Sequence, residues 1–134
     1  EFKKLLQLPN NKVLDSLSFK PNISFGQDSF TKKTICVFIS FKANTIKSQA
    51  FLDCPNLVFV RIPNCFSIES SAFSLSHALS FIDCRKLQFL GAEAFSGCVA
   101  LSNINCHDVE TVETGALSYM QALISVKFDK LKKL

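Results

Sequence analysis

Several residue types that carry chemistry or mark a membrane span are scarce in this chain. Of its 134 residues none is Trp, one is Tyr, one is Met and two are His. The four glycines form no phosphate-binding loop. No apolar stretch approaches the roughly 20 residues that cross a bilayer, so we expect no membrane insertion. The opening EFKKLLQLPN lacks the pattern of a signal peptide and has no initiator Met. We therefore expect a fragment of a longer protein.

Charge is also sparse, because only 19% of the residues are charged and the net charge is +4. The fifteen basic residues are scattered, so nucleic acid is not an expected partner. Hydrophobic residues make up 48% of the chain, which is enough for a packed core. Phe occurs fourteen times and is the expected filler of that core. Neither a linker nor a shift in composition divides the chain, which predicts a single domain over residues 1–134.

One phrase recurs four times at intervals of 22 residues, as AFLDCPNLVFVRI, AFSLSHALSFIDC, AFSGCVALSNINC and ALSYMQALISVKF. Seven columns of this alignment are apolar in every copy, and in the first copy they are Ala50, Phe51, Leu57, Val60, Ile62, Cys65 and Ile68. A repeat of this length predicts a stack of similar units, because one unit cannot bury its own apolar face.

The repeat extends backward in weaker form. In the second unit Ser29–Phe30 takes the Ala–Phe place, one residue short of the period, and the strand columns hold Cys36, Ile39 and Phe41. One unit earlier the same strand columns hold Leu14, Leu17 and Phe19. About six units result, at approximately 7–28, 29–49, 50–71, 72–93, 94–115 and 116–134. Core residues are predicted to include Phe51, Phe73, Phe95, Leu57, Leu79, Leu101, Ile82 and Ile104.

Each unit has two parts with different spacing of apolar residues. The end of the stretch 57–62 alternates with a period of two, which predicts a short strand. The preceding stretch places Phe51 and Cys54 three apart, which predicts a helical or 3-10 turn. A parallel β-helix is the second architecture considered, and the single clear strand in each unit speaks against it.

These residues resemble leucine-rich repeats. The strand pattern L-x-x-L-x-L-x-x-N/C is met at Leu57, Val60, Ile62 and Cys65. The phrase A-F-x-x-C-x-x-L, complete at 50–57 and 94–101, is similar to the BspA-like subclass. The resemblance implies an α/β repeat: a right-handed solenoid with a parallel sheet on its concave face and short helical or 3-10 turns on its convex face. It also implies an adhesion or interaction protein, and it allows a cell-surface parent.

The six cysteines invite a disulfide or metal reading, yet each occupies a column that neighbouring units fill with apolar residues or where the consensus permits Cys. We predict six free thiols, which suit a reducing compartment such as the cytoplasm. A zinc site at Cys98, Cys106 and His107 lacks a C-x-x-C pair. A catalytic pair of Cys106 and His107 is disfavoured because adjacent strand residues face opposite sides. No enzyme, cofactor or metal is expected.

Function must then depend on side chains that face away from the core. Successive residues of a strand face opposite sides. The residues two, four and six places after the repeat leucine are therefore predicted to face outward. We predict a partner-binding site on the concave face, made of Phe38, Phe59, Phe81, Arg61, Asp83, Arg85, Asn103, Asn105 and His107. Phenylalanines in one outward column suit an aromatic anchor, although they also suit a structural ladder.

The function expected is protein–protein interaction with an unidentified protein. The alternative is a structural spacer in a larger surface or cytoskeletal protein, and an open last unit predicts end-to-end self-association.

Overall fold

The computed structural model describes the backbone of residues 13–15 and 24–25 and the whole of residues 35–134. Within these residues the strands are Val13–Asp15 (β1), Ser24–Phe25 (β2), Val37–Ile39 (β3), Thr45–Ile46 (β4), Phe59–Arg61 (β5), Ser67–Ile68 (β6), Phe81–Asp83 (β7), Phe89–Leu90 (β8) and Thr111–Val112 (β9). They form a first sheet in the order β1-β3-β5-β7 and a second sheet in the order β2-β4-β6-β8-β9, with every pair parallel. The chain is therefore a parallel-strand solenoid.

The strand register follows the sequence repeat. In the first sheet Val37 lies opposite Phe59, and Phe59 lies opposite Phe81. The second sheet keeps the same step between its last four strands. Equivalent residues of successive units are therefore neighbours in space, and one apolar column becomes one row of the core. The prediction that the repeats stack is confirmed, and all eight of the predicted core residues are buried.

Phenylalanine from the Ala–Phe phrase builds one row of that core. Phe51 and Phe73 stack with ring centroids 5.0 Å apart, and Phe73 and Phe95 stack at 5.3 Å. All three side chains are fully buried. Parallel stacking at the spacing of successive units lets each ring pack on two neighbours, so this row contributes both buried area and aromatic contact.

The predicted alignment of the second unit is wrong by one residue. Phe38 lies opposite Val60 and is 0% exposed, so the prediction that Phe38 faces outward into the binding site is wrong. The inward residues of this unit are Ile35, Phe38 and Ser40 rather than Cys36, Ile39 and Phe41. A slip of one residue moves every side chain of a strand to the other face. The backbone of β1 shows a related difference, because Leu14 lies opposite Phe38 and not in the column of Leu57.

The predicted helical or 3-10 turns form no helix, because residues 35–134 contain no helical segment and these stretches are single turns. In the Ala–Phe segments the N–H groups alternate between two kinds of acceptor. Phe51 N–H donates to the Ala72 carbonyl of the next unit at 2.7 Å, whereas Leu52 N–H donates within its own unit to Gln49 at 3.2 Å. Backbone φ is positive at Gln49 and Asp53 and at their counterparts in later units. This alternation produces turns that are bonded to the next unit, where a helix would bond only to itself.

The second sheet was not predicted. Its strands follow the column of Cys65 and turn Ile46, Ile68 and Leu90 into the core. A strand of two residues has no room for a period-two pattern, so only its single inward residue left a signal in the sequence.

Side-chain contacts between units keep the same register. Lys47 pairs with Glu69 at 2.7 Å, Lys132 with Glu110 at 2.9 Å and Lys130 with Asp108 at 2.7 Å. Each of these exposed pairs contributes about 0–1 kcal/mol. They give six charged side chains a partner within the solenoid.

Ser29–Phe30, Leu17 and Phe19 lie outside the described residues. The right-handed winding, the concave curvature and the unit boundaries stay predictions. Among residues 35–134 no helix is long and apolar enough to cross a membrane.

Candidate functional site

The outer face of the first sheet, defined as the side that carries Phe59 and Phe81, is the candidate site. Val60 and Ile82 alternate with these residues and are buried, so alternation directs both phenylalanines away from the core. The two rings stack with centroids 4.8 Å apart and planes 10° from parallel. Phe59 is half-buried and Phe81 is 47% exposed. A surface strand normally places polar side chains there, which makes this pair unusual.

Three charged side chains lie beside the rings. Asp83 accepts two hydrogen bonds from Arg85, at 3.0 Å from Nε and 2.7 Å from Nη2. Arg61 reaches the same carboxylate from the neighbouring strand, with its Nε 3.3 Å from Oδ2. The hydrogen bonds from Arg85 hold the pKa of Asp83 below its usual range, so the carboxylate is ionised at neutral pH. The group is a fixed ionic cluster at the edge of the aromatic pair.

Arg61 is positioned by the face itself. Its guanidinium lies 5.5 Å from the centre of the Phe41 ring, in the arrangement of a cation–π contact. Its Nε is buried and makes no hydrogen bond of good geometry. Phe41 itself is 51% exposed. Phe41 was predicted to lie in an inward column, although counting 22 residues back from Pro63 places it in an outward one.

These side chains border an open depression of about 500 Å³, whose lining is Phe59, Arg61, Phe81, Ile82, Asp83, Cys84, Arg85 and Asn105. Most of the accessible surface in it is apolar, and the charged groups stand at one side. The depression is shallow and open, which suits a side chain or a short segment of another molecule better than an enclosed small ligand.

The predicted polar residues continue the same face. Asn103 and Asn105 are exposed and border a second, more polar depression that also includes Lys127. His107 Nδ1 lies 2.7 Å from Asp129 Oδ2, and its backbone N–H donates to Asn105 Oδ1 at 3.1 Å. The bond from His107 lowers the pKa of Asp129. The face therefore changes from aromatic at Phe59 and Phe81 to polar at the following units.

The structure brings together the predicted site residues except Phe38. Phe59, Arg61, Phe81 and Asp83 lie on β5 and β7, and Arg85 folds back onto Asp83. Asn103, Asn105 and His107 follow in the next unit on the same face, as the 22-residue period requires.

Five of the six cysteines lie in the core, and Cys36 is half-buried. Cys84 and Cys106 are at most 1% exposed, and no disulfide joins any of the six cysteines, all of which lie in residues 35–134. Burial raises the pKa of Cys106 to about 12, so its thiol stays protonated at neutral pH. His107 instead pairs with Asp129. The described residues 35–134 contain no cluster of His, Cys, Asp and Glu suited to a metal ion.

The Cys place of the A-F-x-x-C phrase has a structural role. Cys98 donates from its thiol to the Phe73 carbonyl at 3.1 Å, and Ser76, one unit earlier, donates to the Phe51 carbonyl at 2.8 Å. Both satisfy a carbonyl of the preceding unit inside the core. Cys98 and Ser76 are both small hydrogen-bond donors, which is why Ser can take the place of Cys in this unit.

Comparison with protein families agrees with this geometry. The model of the BspA type leucine rich repeat region, described as having six copies, matches residues 44–134, more than half of the chain. The chain belongs to this family of leucine-rich repeat proteins. The family is generally a non-enzymatic repeat scaffold. A search of curated proteins found no match, and neither did a search of solved structures.

Proposed function

We propose that this chain is a protein–protein interaction module that binds its partner through the outer face of the first sheet. Leucine-rich repeats commonly mediate such interactions. The observation that carries the proposal is the stacked pair of Phe59 and Phe81, which leaves a large aromatic surface in contact with solvent. Burying an exposed aromatic side chain at an interface supplies binding free energy that the isolated chain leaves unused.

The surroundings of the pair resemble an interface core with its rim. Aromatic residues and Arg are enriched among the residues that dominate binding energy, usually with polar residues around them. Here Arg61, Asp83 and Arg85 border the rings, and Asn103 and Asn105 follow in the next unit. Adhesion to another surface is one use of such a module, and the concave curvature expected of the family would let the face wrap around a partner.

Affinity capture followed by mass spectrometry tests the proposal. The bait is the whole chain, compared with a double variant, Phe59→Ser with Phe81→Ser, that removes both rings. Phe66→Ser is the matched control, because Phe66 lies outside this face and is 44% exposed, close to the 47% of Phe81. We expect proteins that the parent and the control retain and the double variant loses. Equal capture by all three baits contradicts the proposal.

The second candidate is a structural spacer. It is favoured by the ion pairs that link successive units, such as Lys47 with Glu69, because they give the charged side chains a role within the solenoid. A spacer has no partner on the outer face, so the double variant would lose no protein that the parent and the control retain.

End-to-end self-association is a separate proposal, supported by the last unit. Leu123, Val126 and Phe128 occupy core columns yet are only partly buried, and Ile124 is 89% exposed. Sedimentation velocity of the chain over a range of concentrations tests it. A sedimentation coefficient that rises with concentration supports association, and a constant monomer value contradicts it.

A further inference from the structure

The outer face carries a stack of phenylalanine rings that stops after Phe81. The ring centroids of Phe59 and Phe81 are 4.8 Å apart, which matches the spacing of about 4.8 Å between neighbouring strands. The rings are therefore stacked along the direction in which units follow one another. One face of the Phe81 ring contacts Phe59, and the other is directed toward the next unit.

The core shows what this fold does with a phenylalanine in the next unit. Phe51, Phe73 and Phe95 continue ring on ring, with planes within 4° of parallel. On the outer face the residue after Phe81 in the same column is Asn103, which is exposed. Its amide is shorter than a phenyl ring and leaves Phe81 47% exposed. The place of a third ring is open to solvent above Asn103.

The charges around this place favour an acidic neighbour. Arg85 and Arg61 share the single carboxylate of Asp83. Lys127 is exposed and borders the same polar depression as Asn103 and Asn105. Lys127 acts on a second carboxylate, that of Asp129, which also pairs with His107. Two guanidinium groups and one ammonium group thus stand against two carboxylates, so one positive charge remains for a partner to neutralise.

We propose that the partner is a protein segment that seats an aromatic side chain on the open face of Phe81, above Asn103, with a carboxylate beside it. This inference rests on the proposed function and specifies what the outer face recognises. The inserted ring continues the aromatic stack by one unit, and stacking on Phe81 supplies the orientation that an aliphatic side chain cannot. The carboxylate lies toward Arg85 and Lys127, where opposite charge is available.

A library of random linear peptides, displayed on phage and selected on the whole chain, provides the test.

Two variants at position 103 test whether binding depends on the open place beside Phe81. Asn103→Phe fills the open place with a ring of the chain itself, and Asn103→Ala leaves it open. The melting temperature of Asn103→Phe is expected to equal or exceed that of the parent, because the introduced ring stacks on Phe81. This measurement shows that any loss of binding is not a loss of folding.

We expect enriched peptides to share an aromatic residue with an acidic neighbour. A synthetic peptide from the selection should bind the parent and Asn103→Ala with equal affinity. It should bind Asn103→Phe at least about tenfold more weakly, which is the loss of affinity expected when an aromatic anchor loses its place in an interface. Replacing its aromatic residue with Leu, or its acidic residue with Lys, should also weaken binding.

Three results overturn the inference: no enriched peptide at all, enriched peptides without an aromatic residue, or undiminished binding to Asn103→Phe. None of these decides the proposed function, because the capture experiment measures binding of whole proteins to the outer face. If capture depends on Phe59 and Phe81 while the peptides lack aromatic residues, the face is a binding site of different specificity. If neither depends on the rings, both the inference and the proposed function fail.

Discussion

Replacing one buried and one exposed phenylalanine with alanine tests the division of this molecule into core and binding face. Phe73 is 0% exposed and stacks on Phe51 at 5.0 Å and on Phe95 at 5.3 Å. Removing a buried Phe costs about 3–5 kcal/mol of unfolding free energy. Because Phe73→Ala removes ring contact on both faces, we expect a cost near the upper end, about 5 kcal/mol.

Phe81→Ala is expected to cost far less. Its ring is 47% exposed and stacks on one neighbour, Phe59. About half of the burial energy of a Phe side chain and one aromatic pair are lost, which together amount to roughly 1–3 kcal/mol. The two variants should therefore differ by about 3 kcal/mol.

Urea unfolding followed by far-UV circular dichroism measures both values, since the chain has no Trp to report on folding. A domain with a typical stability of about 5–15 kcal/mol would leave Phe81→Ala folded and Phe73→Ala marginal or unfolded. Equal costs for the two variants would refute the reasoning, because Phe81 would then be a core residue and the outer face would have no spare aromatic surface.

Three further perturbations test the core and the register. Leu101→Asp buries an unpaired charge at a position that is 0% exposed. The thermal transition of this variant should be lost, or its midpoint temperature should fall steeply. A melting curve like that of the parent would mean that the assigned register is wrong. Gly91→Ala should lower the melting temperature, because a Cβ there would lie 2.6 Å from the backbone of Glu69; an unchanged value would contradict that close packing. Burial raises the pKa of Cys84 well above its usual 9.0, so the unfolded chain loses this proton before the folded chain does. The stability of the folded chain is therefore unaffected below about pH 9 and falls above it. For each such thiol, the folding equilibrium constant decreases about tenfold for each further pH unit. Urea midpoints at pH 8 to 10 should fall less in Cys84→Ala than in the parent, and parallel declines would contradict the burial of this thiol.

The thiol prediction from the sequence can be measured directly. Mass spectrometry of the unfolded, unreduced chain after alkylation should show six adducts, one for each cysteine. Fewer adducts would indicate a disulfide or another modification.

Strong periodicity made the core rows predictable. Phe51, Phe73 and Phe95 could be placed because the same residue returns at a constant interval, and stacking converts that interval into contact. The second unit failed because residues 35–39 read ICVFI, which is apolar at every position. With no alternation to read, only the count of 22 residues back from Leu57 identifies Ile35 as the inward residue.

The conformation of the turns could not be predicted, for a different reason. Positive φ usually favours Gly, yet six of the eight positive-φ residues described are not Gly, among them Gln49, Ser71 and Glu93. The sequence therefore carried no glycine signal at these positions. Hydrogen bonds to the next unit stabilise the conformation, and such bonds between units cannot be read from one unit alone.

The candidate site was predictable in composition but not in geometry. Alternation placed Phe59, Arg61, Phe81 and Asp83 on one face. The stacking of the rings and the bidentate bonds from Arg85 depend on side-chain rotamers, which a residue pattern does not specify. The open place above Asn103 became visible only once the rings were known to stack.

The most direct test of the central claim is the dissociation constant of one captured partner for two single variants. Phe81→Ser removes the exposed ring of the outer face, and Phe66→Ser removes a ring of similar exposure elsewhere. The account predicts that Phe81→Ser weakens binding by at least about tenfold, while Phe66→Ser stays within about twofold of the parent. A partner that binds all three alike, or that loses affinity only with Phe66→Ser, would contradict the assignment of the binding face.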